Sequence, residues 1–166
     1  ITITAGATQA IYTAISAFVN KGDEVIIVEP AYDSYGPSVE VNGGKVIPYR
    51  LMAPDYSIDW NKMRALISDR TKMILINSPH NPTGKIFSAD DLQQLETLTN
   101  NSNIIVLSDE VYEHLSYDGN SHESVLKYPN LYKRSLAIFS FGKTFHSTGW
   151  KLGYCVGPEN LMEEFK

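Results

Sequence analysis

The sequence predicts an α/β domain of three layers, α/β/α, around a mostly parallel seven-stranded sheet. Short runs of apolar strand formers recur along the chain, and segments of helical period fall between them. The run at residues 25–28 is apolar throughout instead of alternating, as in a strand buried on both faces of a parallel sheet. The chain has 166 residues, 43% of them apolar and 20% charged, which suits one domain with a substantial core.

Residues 1–5 read as a short β-branched strand stopping at Gly6. Residues 7–20 read as a helix, with Ala10, Ile11, Ala14, Ile15, Ala17 and Phe18 on one side and Lys21-Gly22-Asp23 ending it. The strand at 25–28 gives way to Glu29-Pro30-Ala31-Tyr32, and a weaker helix over 33–41 ends at Asn42-Gly43-Gly44. A strand over 45–51, a helix over 59–67 and a strand over 72–76 follow. In Ser78-Pro79-His80-Asn81-Pro82-Thr83-Gly84, two prolines and a glycine impose a fixed loop. Ser88 caps a helix over 89–99, with Asp91 where a capping box places its acid. Strands are expected at 103–107, 135–141 and 152–156, with an irregular stretch over 113–134 and a last helix over 159–166. No repeat, low-complexity run or linker divides residues 1–166, so they form one domain. The chain starts in strand pattern and stops in helix pattern, so it is expected to be a piece of a longer protein.

Composition narrows the function. A net charge of −5 without a Lys/Arg cluster argues against nucleic acid as a partner. No apolar run reaches the ~18 residues of a membrane span, and no signal peptide is visible. The one cysteine, Cys155, lies in an apolar run and reads as a small buried hydrophobe, fitting a reducing, cytoplasmic compartment. His80, His114, His122 and His146 lack metal-ligand spacing.

Ligands of parallel sheets bind at the carboxyl ends of the strands, and the chemistry-bearing residues fall at those ends. Gly6-Ala7-Thr8 is either a phosphate-binding helix N-terminus or an ordinary strand-to-helix turn. Asp109, after a buried strand, either meets a cationic ligand or caps a helix. Tyr112 offers a hydroxyl one turn on, or core packing. Asn81, between His80 and Pro82, is a rigidly placed amide or an Asx-Pro turn, with Asn77 at the strand end before it. Tyr32 is a stacking plate or packing. Ser140 and Lys143 follow the strand at 135–141, where a lysine is either a site residue or a solvated loop residue. Together these residues describe one site at one edge. Residues 137–144 also satisfy a relaxed phosphate-loop pattern, but Ile138, Phe139 and Phe141 are strand residues unsuited to wrapping a phosphate.

Three segments carry a family resemblance. Ser78-Pro79-His80-Asn81-Pro82-Thr83-Gly84, Ser108-Asp109-Glu110-Val111-Tyr112 and Ser140-Phe141-Gly142-Lys143-Thr144-Phe145 resemble, in order, the signature segments of the class I/II aminotransferases, fold-type-I enzymes that use pyridoxal 5'-phosphate. The resemblance runs from residue 1 to 166, and Thr148-Gly149-Trp150-Lys151-Leu152-Gly153 is similar to the kynurenine, glutamine and methionine aminotransferase branch.

The resemblance implies the large, cofactor-binding domain of such an enzyme. Lys143 would form the Schiff base with the cofactor's aldehyde and carry the proton from the substrate α-carbon. Asp109 would pair with the ring nitrogen, Tyr112 and Asn81 with the phenolate oxygen, and Tyr32 would stack on the ring. The Ala7 and Thr8 amides, Ser140 and Lys151 would hold the phosphate, and Gly6 and Asn77 are expected among the cofactor-binding residues. Lys151 stands where many relatives have arginine, a point charge in place of a fork. The implied reaction is transamination between an aromatic, glutamine or methionine-type amino acid and a 2-oxo acid, in a cytoplasmic homodimer. The family's N-terminal arm and small C-terminal domain, which carries the substrate-carboxylate arginine, are expected to lie outside this chain. Two alternatives remain: a carbon–sulfur lyase of the same fold, against which Thr148-Gly149-Trp150-Lys151 argues, and a non-catalytic regulatory domain that senses the cofactor.

Overall fold

Six of the seven strands point the same way, which gathers their carboxyl ends along one edge. The computed structural model describes all 166 residues, Ile1–Lys166. The strands are β1 (Thr2–Thr4), β2 (Glu24–Glu29), β3 (Lys45–Arg50), β4 (Thr71–Asn77), β5 (Ile105–Asp109), β6 (Ser135–Ser140) and β7 (Gly153–Val156), in the order β1-β7-β6-β5-β4-β2-β3. The pairings among β2 to β6 are parallel, whereas β7 is antiparallel to both β6 and β1. Two reversals cancel, so β1 runs with β6 and delivers its own carboxyl end to the shared edge. The mostly parallel seven-stranded sheet expected from the sequence is present.

The continuous apolar runs feed two cores because alternate side chains leave opposite faces of the sheet. Val25, Ile27, Met73, Leu75, Leu107 and Ile138 pack with helices α1 (Ala7–Phe18), α2 (Tyr35–Val41) and α7 (Glu159–Phe165). Ile26, Ile74, Ile76, Val106 and Phe139 pack on the other face with α3 (Trp60–Ala65), α4 (Ala89–Thr99) and α5 (Pro129–Tyr132). Fully burying a side chain such as Ile74 or Leu95 contributes about 1.5–3 kcal/mol, and both are wholly inaccessible. The Ser88–Asp91 capping box expected at α4 forms, and Asp59 caps α3 by accepting from the Asn61 and Lys62 amides.

Several boundaries move, with consequences for the site. Strand β5 runs to Asp109 instead of stopping at Leu107, because Asp109 pairs with Asn77 on β4 and Ile138 on β6. Helix α2 begins at Tyr35, not Asp33, since the preceding residues form a turn closed by the Tyr35 N–H on the Tyr32 carbonyl, 3.1 Å. The irregular stretch contains a 3₁₀ turn, Val125–Lys127, and α5. At the opposite end of the sheet Glu24 is paired with Arg70 (2.9 Å) and Lys45 (3.6 Å). The Ser68 hydroxyl and the Arg70 guanidinium hold its carboxyl below the usual range. No helix is long and apolar enough to cross a membrane.

Candidate active site

The strand register lines up the residues of the site. Gly153 of β7 pairs with Thr4 on one side and Ser140 on the other, and Asp109 of β5 lies between Asn77 and Ile138. Above these ends opens a cavity of about 540 Å³. All eleven residues singled out in the sequence line it: Gly6, Ala7, Thr8 and Lys151 at one side, Tyr32, Asn77 and Asn81 at the other, and Asp109, Tyr112, Ser140 and Lys143 between.

The β1–α1 turn is an anion-binding shape. Gly6 takes φ +87, a conformation that disfavours side chains, and no side chain caps α1. The first-turn amides of Ala7 and Thr8 therefore stand at the positive end of a twelve-residue helix without a side-chain acceptor. Ser140 closes β6, and the Phe141 N–H donates to the Leu152 carbonyl at 3.1 Å, fixing the start of the short helix α6 (Phe141–Thr144) that carries Lys143. Lys151 holds φ +53 just after a 3₁₀ turn, Thr148–Trp150. Neither Lys143 nor Lys151 belongs to any salt bridge of the chain, so both charges are available to a ligand.

Asp109 is held from several directions. Its backbone carbonyl accepts from Asn77 Nδ2 (2.9 Å) and from the Ser78 N–H (3.1 Å). Asn77 Oδ1 accepts from the Asn81 N–H at 2.7 Å, so one buried amide joins the Asn81 loop to the end of β5. The Asp109 carboxylate accepts from the Val111 N–H (3.2 Å) and from the Tyr35 hydroxyl. Residues 111–114 form a turn and not a helix, so Asp109 caps no helix, and Tyr112 reaches the cavity from that turn. Burial pushes the Asp109 carboxyl up to about 6 against the opposing pull of the Tyr35 hydroxyl and the Val111 amide. A cation meeting it in the cavity restores its charge.

Lys143 Nζ lies 5.5 Å from the centroid of the Tyr112 ring. Tyr32, 45% exposed, presents an aromatic face at the cavity and meets Tyr35 edge-on, with centroids 5.9 Å apart. His80 is buried beside the site with Nδ1 2.7 Å from Thr83 Oγ1, and burial lowers its pKa, so it sits there as a neutral strut. The His, Cys, Asp and Glu side chains form no group of three that could hold a metal ion.

Sequence reasoning missed Tyr35 and Thr148, which also line the cavity. Tyr35 follows Tyr32 by three residues across a turn, a spacing that could have marked both rings for one place. Thr148 opens the segment at 148–153 that carries the branch resemblance, but nothing marked it as a site residue: it is brought in because Gly142 permits a close approach, a Cβ there standing 2.9 Å from Thr148 Cα.

The arrangement offers an uncapped helix terminus and a lysine for a phosphate, a flat aromatic face, a buried carboxylate, and a second lysine between them. Comparison with known proteins identifies the family. The family model for aminotransferase class I and II matches residues 1–166. The chain is 46% identical over 166 residues to a methionine aminotransferase of Escherichia coli (strain K12), covering 100% of this chain and 43% of that protein. It is 38% identical over 175 residues to kynurenine–oxoglutarate transaminase 1 of Mus musculus, covering 99% and 41%. The Escherichia coli protein YbdL, whose crystal structure and reactivity identify a methionine aminotransferase function, superposes with a TM-score of 0.97 at 46% identity over 99% of this chain and 43% of that one. Cystalysin from Treponema denticola, whose crystal structure contains a pyridoxal 5'-phosphate cofactor, superposes with a TM-score of 0.94 at 29% identity over 99% and 43%. The chain thus spans less than half the length of the curated relatives it matches. By the match of the family model over its whole length, the chain belongs to the class I and II aminotransferases.

Proposed function

We propose that the full-length protein is a pyridoxal-phosphate-dependent aminotransferase, exchanging an amino group between a methionine, aromatic or glutamine-type amino acid and a 2-oxo acid. The observation that carries this reading is that Asp109 and Lys143, from the ends of the neighbouring strands β5 and β6, open into one cavity. The residues fit the cofactor by the chemistry of their donors. The uncapped α1 terminus, Ser140 and Lys151 suit a phosphate dianion, Tyr32 suits a planar ring, and Asp109 suits a protonated ring nitrogen.

When bound, the cofactor supplies an aldehyde that captures amines and a cationic ring that accepts the electron pair freed at the substrate α-carbon. Lys143 would hold it covalently through Nζ and, once displaced by substrate, use the same nitrogen to take and return the α-proton. Asp109 would keep the ring nitrogen protonated. The Tyr112 hydroxyl and the Asn81 side-chain amide would hydrogen-bond the ring's phenolic oxygen; Asn81 is already anchored by its backbone N–H, which frees its side chain for that contact. Lys151 would contribute charge to the phosphate site without the two-pronged geometry of an arginine.

The same reading takes the working protein to be a cytoplasmic homodimer. Phe145 and Trp150, 67% and 77% exposed in the segment between Lys143 and Lys151, would supply apolar surface for a partner subunit, and the lone thiol of Cys155 is buried. The test is an amine-donor screen on the full-length holoprotein. Methionine, glutamine or an aromatic donor should convert the aldehyde-form absorbance to that of the amine form, with one equivalent of 2-oxo acid produced. Thiol and pyruvate release from cysteine-type substrates, with no amine form, would replace this reading by the lyase.

A further inference from the structure

We propose that Tyr35 is a positioning residue for the reaction: its phenol holds the Asp109 carboxylate in place and ionised for the cofactor's ring nitrogen. This rests on the function proposed above.

Tyr35 is the first residue of α2, 2% exposed, and its ring belongs to the core beneath the α1 face of the sheet. Its hydroxyl comes 74 residues along the chain to donate to Asp109 Oδ2, while the Val111 N–H donates to Oδ1 at 3.2 Å. Each carboxylate oxygen thus has one donor, and the plane of the group is fixed. A phenylalanine would fill the same core volume. A buried hydroxyl is stabilising there only if it has a partner, and Asp109 is that partner.

Electrostatics point the same way. Burial, then the charges of Glu110 and Glu113, favour a protonated Asp109; the Tyr35 hydroxyl is the largest influence against them, ahead of the Val111 amide. Burial and the Asp109 charge, with smaller contributions from Tyr112 and Tyr32, hold the Tyr35 phenol well above its ordinary range, so it remains a donor at any working pH. The turn that places Tyr35 also places Tyr32: the Tyr35 N–H donates to the Tyr32 carbonyl at 3.1 Å, and the two rings meet edge-on. One turn of chain therefore sets both Tyr32, which would stack on the cofactor ring, and the Asp109 carboxylate, which would meet its nitrogen.

The test is Tyr35→Phe in the full-length protein, read in two ways. In the cofactor-free protein, infrared titration of the Asp109 carboxyl, identified by its loss in Asp109→Asn, should show deprotonation about one pH unit higher than wild type. In the loaded enzyme kcat should fall about tenfold at neutral pH while KM for the amine donor stays within about twofold. Tyr35→3-fluorotyrosine, isosteric and a stronger donor, should move the infrared midpoint in the opposite direction, and it serves if the phenylalanine variant does not fold. An unmoved midpoint in either variant overturns the proposal and leaves Tyr35 a core residue. A shifted midpoint in a protein that transaminates no donor would keep the Tyr35–Asp109 contact and reject the aminotransferase reading instead.

Discussion

Gly153 lies so close beneath Ala7 that a Cβ built on it would stand 2.7 Å from the Ala7 nitrogen, and 2.9 Å from the Phe139 carbonyl oxygen. The glycine is therefore required by space, and what it admits is the first turn of α1, seated on the strand that pairs with Ser140. Gly153→Ala must push that turn away from Ser140 or strain β7, a loss of about 1–3 kcal/mol for an overpacked site. The full-length variant should bind pyridoxal phosphate at least about tenfold more weakly, the affinity equivalent of ~1.4 kcal/mol. Wild-type affinity in a cofactor titration would show that α1 does not hold the phosphate.

Asp109→Asn should damage rate far more than affinity. The phosphate contacts and Lys143 would still retain the cofactor, but a neutral amide cannot keep the ring nitrogen protonated. Losing a buried charge-assisted contact worth several kcal/mol should slow turnover by at least about a hundredfold. A cofactor analogue with a methylated ring nitrogen should recover part of that loss, because its charge needs no carboxylate. Near-normal turnover by the variant would place the nitrogen's partner elsewhere.

The same carboxyl makes stability depend on pH. Its folded pKa of about 6 lies above the ordinary 3.8, so the folded protein holds this proton more tightly than the unfolded chain. The associated stability is complete below about pH 4 and is lost as pH rises through about 6, a swing on the order of 3 kcal/mol. In the cofactor-free full-length protein, Asp109→Asn should remove that swing, so the variant gains on wild type between pH 4 and pH 8. Parallel stability curves for the two proteins would mean that Asp109 is not buried as a charge.

Asn77 should matter through the backbone. Asn77→Ala removes the bonds to the Asp109 carbonyl and the Asn81 N–H, both in buried or half-buried surroundings. About 1 kcal/mol for each bond predicts a loss of about 2 kcal/mol in denaturant unfolding. Faster amide exchange at Asn81 should accompany it; unchanged exchange there would show that the Asn77 bridge does not order the loop.

Most of the site was legible because chemistry-bearing residues follow apolar strands directly, and a parallel sheet sends all such ends to one edge. Asp109, Ser140 and Lys143 needed only that rule. The capping box at Ser88 was readable for a local reason, four residues sufficing to specify it. The spacing from Tyr32 could have marked the Tyr35 ring, but its bond to Asp109 was not legible, since that partner lies 74 residues away. The reversal of β7 was hidden too: four residues of strand pattern do not encode direction, and only the pairing with β6 and β1 sets it. The polar Ser108 and Asp109 end the apolar pattern of β5 two residues before the strand itself ends, yet both are buried and Asp109 is paired on both sides.

The most direct test of the central claim is to reduce the full-length holoprotein with borohydride, digest it and map the peptide that carries the cofactor. Attachment at Lys143 is the predicted result. Attachment at Lys85 or Lys151, with Lys143 unmodified, would contradict the account.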